Sequence, residues 1–223
     1  MDTNDSDVNA FGATSSVDDG DDAEVTITPK EALEQLKNAM LTETLCPEIL
    51  PHRGDLVDCI TELMNMTKVN VALLKKSEFA RSICMQELSR TRFMLTSYLR
   101  ARLEKIERFS PAYFLDPVSE SSFAQLLTQN EFTFARNVWN LTKQELESSA
   151  LAHMPAIVSK LKKTMFPSPN LNRFVFFRVN EDCPDVLLDQ DADQATQLEK
   201  GSLHLTRYAP VSALVAAGKL QLI

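Results

Sequence analysis

The chain has 223 residues, 44% of them hydrophobic, which is enough for one large or two modest domains with a real core. Its formal charge of −8 is concentrated at one end: residues 1–24 hold eight acidic residues and no basic one, so that 23 acidic residues remain against 23 basic ones in the body. A neutral body predicts neither bulk DNA binding nor attraction to a membrane surface, and any electrostatic role has to be a local patch.

Residues 1–25 are polar and acidic and read as a disordered tail, because they bury too little apolar surface to offset the entropy of ordering. The tail is the wrong chemistry for a signal or transit peptide, and no apolar run reaches the ~20 residues of a membrane span. The expected compartment is the cytosol or the nucleus. Four cysteines (Cys46, Cys59, Cys84, Cys183) lie far apart with no CxxC pair, and three scattered histidines add no ligand spacing for zinc. They read as small buried hydrophobes.

Order is expected to begin at Thr28-Pro29-Lys30-Glu31, an N-cap, a first-turn proline and a capping-box glutamate. Leu33, Leu36 and Met40 follow on one helical face, and Cys46-Pro47 with Pro51 interrupts them. Asp55 opens a second helix with Leu56, Ile60, Leu63, Val71 and Leu74 roughly aligned. The stretch Ala80–Phe109 contains neither Gly nor Pro. In it Ile83, Met85, Leu88, Leu95, Leu99, Leu103 and Ile106 recur at spacings near three and four and predict one side of a helix. That helix spans roughly 45 Å and needs neighbours along its whole length, in its own chain or in others. Arg92 falls beside this apolar seam, where a buried guanidinium requires a carboxylate or a carbonyl. Pro111 is expected to stop the helix and residues 110–120 to form a loop. From about Ser121 to Met154 the pattern is helical again, with Ala135, Trp139, Leu146 and Ala150 on one face and Trp139 in the core. Residues 26–160 thus read as a bundle of four or five helices.

The composition then changes. Residues 161–172, with Phe166-Pro-Ser-Pro-Asn170, read as a linker, and residues 173–223 as a small β-rich module near the size where a core alone is marginal. Strands are expected at Arg173–Val179, Val186–Leu188, Leu203–Tyr208 and Lys219–Ile223, with a short helix at Pro210–Ala217 and a turn at Gly201. The fold class is α+β, mainly α, with one very long helix.

No phosphate-binding glycine loop, GxSxG elbow or HExxH is present, so the sequence offers no catalytic site and no cofactor. It points to a subunit of a larger assembly. The alternative is a helical protein that binds nucleic acid through the basic residues between Arg90 and Arg108, although Glu87, Glu104 and Glu107 would blunt phosphate contact.

The stretch Arg90-x-Arg-Phe-Met-Leu-Thr-Ser-Tyr-Leu-Arg-Ala-Arg-Leu-Glu-Lys-Ile-Glu107 resembles the helical signature of GINS complex subunits. Leu198-Glu-Lys-Gly-Ser-Leu-His-Leu-Thr-Arg-Tyr208, with Val211, Leu214-Val215, Gly218 and Leu222-Ile223, is similar to the C-terminal end of the SLD-five type. His153-Met-Pro155 and Phe174–Val179 fit the same pattern. The resemblance implies a nuclear, non-catalytic subunit of a heterotetramer with three other GINS subunits. That tetramer joins a cell-division-cycle cofactor protein and the minichromosome-maintenance hexamer in the replicative helicase, with DNA contact indirect or weak. The residues expected at subunit contacts are Arg92, Tyr98, Arg100, Arg102 and Lys105 in the helical part, and Tyr208, Leu220, Leu222 and Ile223 in the small module.

Overall fold

The computed structural model describes residues 28–75, 79–155, 159–187 and 196–223. The acidic tail expected at 1–25 lies outside them. Helix α1 (Pro29–Leu45) starts as its sequence dictates: Thr28 Oγ1 accepts the Glu31 N–H at 3.3 Å, and the Glu31 carboxylate accepts the Thr28 N–H at 3.0 Å. It ends at Cys46, whose extended backbone suits the residue before a proline. Helix α2 (Gly54–Leu73) buries Leu56, Ile60, Met64 and Val71, and α3 (Phe79–Phe114) runs 36 residues, roughly 54 Å. These three helices share one core, in which Ala32 and Ala39 of α1 leave room for Met94, Leu95 and Tyr98 of α3.

Pro111 does not stop α3. It lies buried within the last turn, and the helix continues to Phe114. A proline so close to a helix end removes one backbone hydrogen bond, and here the packing of the turn outweighs that loss. The expected loop at 110–120 is therefore the end of α3 and the start of α4 (Pro117–Leu126), with Asp116 as N-cap and Pro117 in the first turn. Helix α5 (Gln129–Ser149) follows with a second capping box, Thr128 and Glu131. Ile49, Ile106, Phe123, Leu127 and Ala135 form the core between α3, α4 and α5, with Tyr113 stacked on Phe123 at 4.4 Å. Trp139 is only half-buried and meets Phe166 edge-on at 5.8 Å, which lays the segment after α5 back onto that helix. Thr128→Ala should cost about 1 kcal/mol by removing the cap of α5, read as a fall in thermal midpoint of a few degrees.

The C-terminal part contains β1 (Phe174–Val179), β2 (Cys183–Val186), β3 (Thr196–Leu198), β4 (Leu203–Arg207), α6 (Tyr208–Ala216) and β5 (Leu220–Leu222). Strands β4, β1 and β5 form an antiparallel sheet in that order, and β2 pairs with β3. The second strand lies earlier than expected, and Leu188 falls outside the described residues. Strand β3 was not foreseen, and Tyr208 begins α6 rather than ending β4. Helix α6 covers one face of the sheet with Tyr208, Val211 and Val215. Gly201 and Gly218, at φ 86° and 77°, turn the chain where other residues would be strained. The module does not close its core alone: Cys46 is buried in it, and Leu45 and Leu50 pack against it.

Candidate assembly interface

Along α3 a line of buried residues runs through Leu95, Tyr98, Arg102, Ile106 and Phe109, flanked by buried Met94 and, at the helix end, by Ser110, Pro111 and Ala112, with Leu88 and Thr91 half-buried at its start. The polar members Tyr98 and Arg102 therefore sit on the seam, and Leu99 and Leu103, read from sequence as seam residues, lie one position outside it. Apolarity does not mark burial on this face, because the chain buries a charge there instead.

Arg102 is 1% exposed and all five of its N–H donors are used. Its Nε and Nη2 meet the two oxygens of Glu131 at 2.8 and 3.1 Å, Nη1 reaches Leu50 O at 2.7 Å and Glu43 Oε2 at 3.4 Å, and Nη2 reaches Leu126 O at 3.0 Å. Lys105 Nζ donates to Glu43 Oε1 at 2.9 Å, to Glu48 O at 2.7 Å and to Glu43 O. Two cations and two carboxylates thus tie α1, α3, α5 and the 46–53 connection together. Burial works against the Arg102 charge, but the bidentate Glu131 raises its pKa above the ordinary arginine value. Burial pushes Glu131 up, and the Arg102 and Thr128 N–H groups outweigh it, so its pKa lies below the ordinary value of 4.5. A carboxylate depressed on folding adds stability above its unfolded pKa and loses it as pH falls through the folded one. Denaturation midpoints should therefore fall more steeply below about pH 4.5 in the parent than in Glu131→Gln.

A second polar knot joins the two parts of the chain. The Tyr208 hydroxyl donates to Glu48 Oε1 at 2.7 Å and accepts from Cys46 Sγ at 3.1 Å. Burial and the neighbouring Cys46 and Glu48 raise the tyrosine pKa, which keeps it a neutral donor. Gln221 Nε2 donates to Asn38 Oδ1 of α1 at 2.8 Å. Tyr208→Phe should cost about 1 kcal/mol in urea denaturation, because Glu48 then loses its buried donor.

The expected contact residues therefore divide. Tyr98, Arg102, Tyr208, Leu220 and Leu222 are buried within this chain, and Lys105 is held by Glu43 and two carbonyls. Arg92 is not buried on the seam, as its position suggested, but exposed, and Arg100 and Ile223 are exposed too. The nucleic-acid alternative loses Arg102 and Lys105 in the same step, and its remaining exposed residues Arg90, Arg92, Arg100 and Arg108 stand among exposed Glu87, Glu104 and Glu107. Sequence reasoning missed Glu43, Glu48 and Glu131. Among the described residues no group of His, Cys, Asp and Glu could hold a metal ion, and no helix is long and apolar enough to cross a membrane.

One position round the helix from the buried line runs a second one: Met85, Ser89, Arg92, Thr96, Leu99 and Leu103, spaced four, three, four, three, four, all exposed. This is the heptad spacing with which one helix receives another. Phe79, Ile83 and Phe93 of α3 and Val69 and Leu73 of α2 add further exposed apolar side chains.

The family model for the C-terminus of DNA replication complex GINS protein SLD5 matches residues 169–223, and that for the GINS complex protein helical bundle domain matches residues 60–150. The chain is 37% identical to DNA replication complex GINS protein SLD5 of Homo sapiens over 215 residues, 92% of this chain and 95% of the relative. The protein of the same name from Bos taurus is 37% identical over 212 residues, with the same two coverages. That from Dictyostelium discoideum is 27% identical over 198 residues, 86% of this chain and 91% of the relative. The match spans both the bundle with its long helix and the small sheet module, and the chain belongs to the SLD5 family of GINS DNA replication complex proteins.

Proposed function

We propose that this chain is a non-catalytic structural subunit that assembles with the three other GINS subunits into a heterotetramer. In this reading the helical domain, 26–160, supplies the main contact through the second line on α3, the linker 161–172 follows, and the module 173–223 adds a further surface. The tetramer then scaffolds the replicative helicase in the nucleus by joining the cell-division-cycle cofactor protein to the minichromosome-maintenance hexamer, with DNA contact indirect. The observation that carries the reading is the exposed heptad line Met85–Leu103 beside the fully used buried one. Obligate interfaces are large and core-like, and Met, aromatics and Arg are enriched in them. Expressed alone, the chain should aggregate or unfold without cooperativity. Co-expressed with the three partners it should give a soluble one-to-one-to-one-to-one species in native mass spectrometry. A monodisperse, cooperatively unfolding monomer at micromolar concentration that captures no partner would overturn the reading.

A further inference from the structure

Between the bundle and the C-terminal module lies a hollow of about 420 Å³. Its walls come from α1, the 50–53 connection, Tyr98 of α3, the turn at Gly218 and β5. That volume is in the range of small-molecule sites and far exceeds what one bridging water needs. The polar groups around it divide by whether they are already used. Asn38 Oδ1 accepts from Gln221 at 2.8 Å, and Asn180 Nδ2 donates to Gly218 O at 3.3 Å. The Glu43 carboxylate is held by Arg102 and Lys105. The groups left over are donors. Tyr98 is 3% exposed, yet among the described residues no acceptor takes its phenolic proton, and the Arg53 N–H faces its oxygen instead. Buried hydroxyls are as a rule hydrogen-bonded, so a proton left free on a cavity wall marks the place of a missing acceptor. The Arg53 guanidinium makes no ion pair among the described residues. It stands over the Gly218 turn, where a β-carbon on residue 218 would meet its Nη2 at 3.8 Å.

We infer that this hollow binds a small organic anion, whose carboxylate or phosphate head meets Arg53 and the Tyr98 hydroxyl and whose body lies against Leu50, Pro51, Val215 and Leu220. Charge argues for an anion. Two cations already neutralise Glu43, and Asp55 lines only the adjoining hollow between α1 and α2, so the Arg53 charge is not cancelled here. A guanidinium fork matches the paired oxygens of a carboxylate or phosphate, and a phenol adds a further donor to them. A metal ion fits badly, because the unused groups donate rather than accept. A nucleic-acid strand fits no better, since one exposed cation over a concave site neutralises too few phosphates. The walls belong to both parts of the chain, so an occupant adds a tie between the bundle and the module and stabilises them by linkage. The inference is independent of the assembly reading above.

The test is calorimetric titration of the full chain, co-expressed with its three GINS partners, with phenyl phosphate and with benzoate. The two probes share a body and differ in the head. At least one should bind saturably with a Kd of about 1 mM or tighter and should raise the thermal midpoint of the complex. The tighter of the two identifies the head group. Arg53→Gln and Tyr98→Phe should each weaken that binding by about 10-fold or more, the loss of one hydrogen bond to a charged group. Arg53 is exposed, so Arg53→Gln should keep the ligand-free midpoint of the parent, which separates lost binding from lost folding. The other subunits retain any anion sites of their own in both variants, so only binding at this hollow responds. No saturable heat from either probe up to about 10 mM overturns the inference. So does binding that either variant leaves at parent strength.

Discussion

Replacing Arg102 with alanine is expected to destabilise the chain by about 3–5 kcal/mol, the cost of removing one partner from a buried ion network. For a chain of this size that corresponds to a fall in thermal midpoint on the order of 10 °C. The reason is not the attraction of the pairs, much of which is cancelled by desolvation, but what the deletion leaves behind. Glu131 would keep its charge without the guanidinium, Glu43, 1% exposed, would keep only Lys105, and the Leu50 and Leu126 carbonyls would lose their donor. Arg102→Met should therefore be nearly as harmful, although it refills most of the volume. Combining it with Glu131→Gln alone should recover part of the loss, because the carboxylate left without a counter-ion goes with the cation and Glu43 stays paired to Lys105. Thermal unfolding of the co-expressed complex measures the series. A loss below about 1 kcal/mol for Arg102→Ala would mean that water reaches the site and that the network is not a structural tie.

The same residue shows where the sequence stopped being legible. Helix starts at Thr28 and the change from helical to strand patterning near residue 173 are local signals, and the structure repeats them. Asp116-Pro117 carries the same N-cap and proline signal as Thr28-Pro29, yet Pro111 six residues earlier drew the reading toward a loop. The buried charges are a different matter. On α1 the buried residues Ala32, Leu36, Ala39 and Glu43 are spaced four, three, four, so a glutamate ends an otherwise apolar line. On α3 an arginine interrupts one. Each looks like a residue facing solvent when its helix is read alone. Only the pairing of the two interruptions, 59 positions apart, makes either intelligible. Tyr208 was hidden in the same way, because its partners Glu48 and Cys46 are 160 and 162 positions away.

Those internal ties also draw Arg102, Lys105 and Tyr208, expected at subunit contacts, into the chain's own framework. A chain that spends Arg102, Lys105 and Tyr208 on itself fixes α3, the 46–53 connection and the sheet module as one framework. In the proposed assembly the groups that meet partners are those one step round the helix. Such a rigid framework presents its outer side chains in a defined geometry, which lowers the entropy cost of association.

Leu99→Asp with Leu103→Asp should therefore abolish assembly without removing any side chain from the chain's own core. Both side chains lie beside the buried line at 36% and 39% exposure, so neither fills the core. Placed in a dry helix–helix contact, two carboxylates would be buried without partners, and a loss of about 3 kcal/mol or more corresponds to at least 100-fold weaker association. Arg92→Glu, seven residues from Leu99 on the same line, should weaken assembly less and mainly at low salt, since a rim charge steers rather than holds. A charge-matched control at Gln144 on the exposed side of α5, Gln144→Asp with Asn140→Asp, should leave assembly unchanged. Co-purification of the three partners, scored by native mass spectrometry, separates these outcomes. If the leucine pair retains full stoichiometry and the parent midpoint, the contact lies elsewhere, and the exposed apolar residues near the other end of α3, Phe79 and Ile83 with Leu73 of α2, become the surface to alter next.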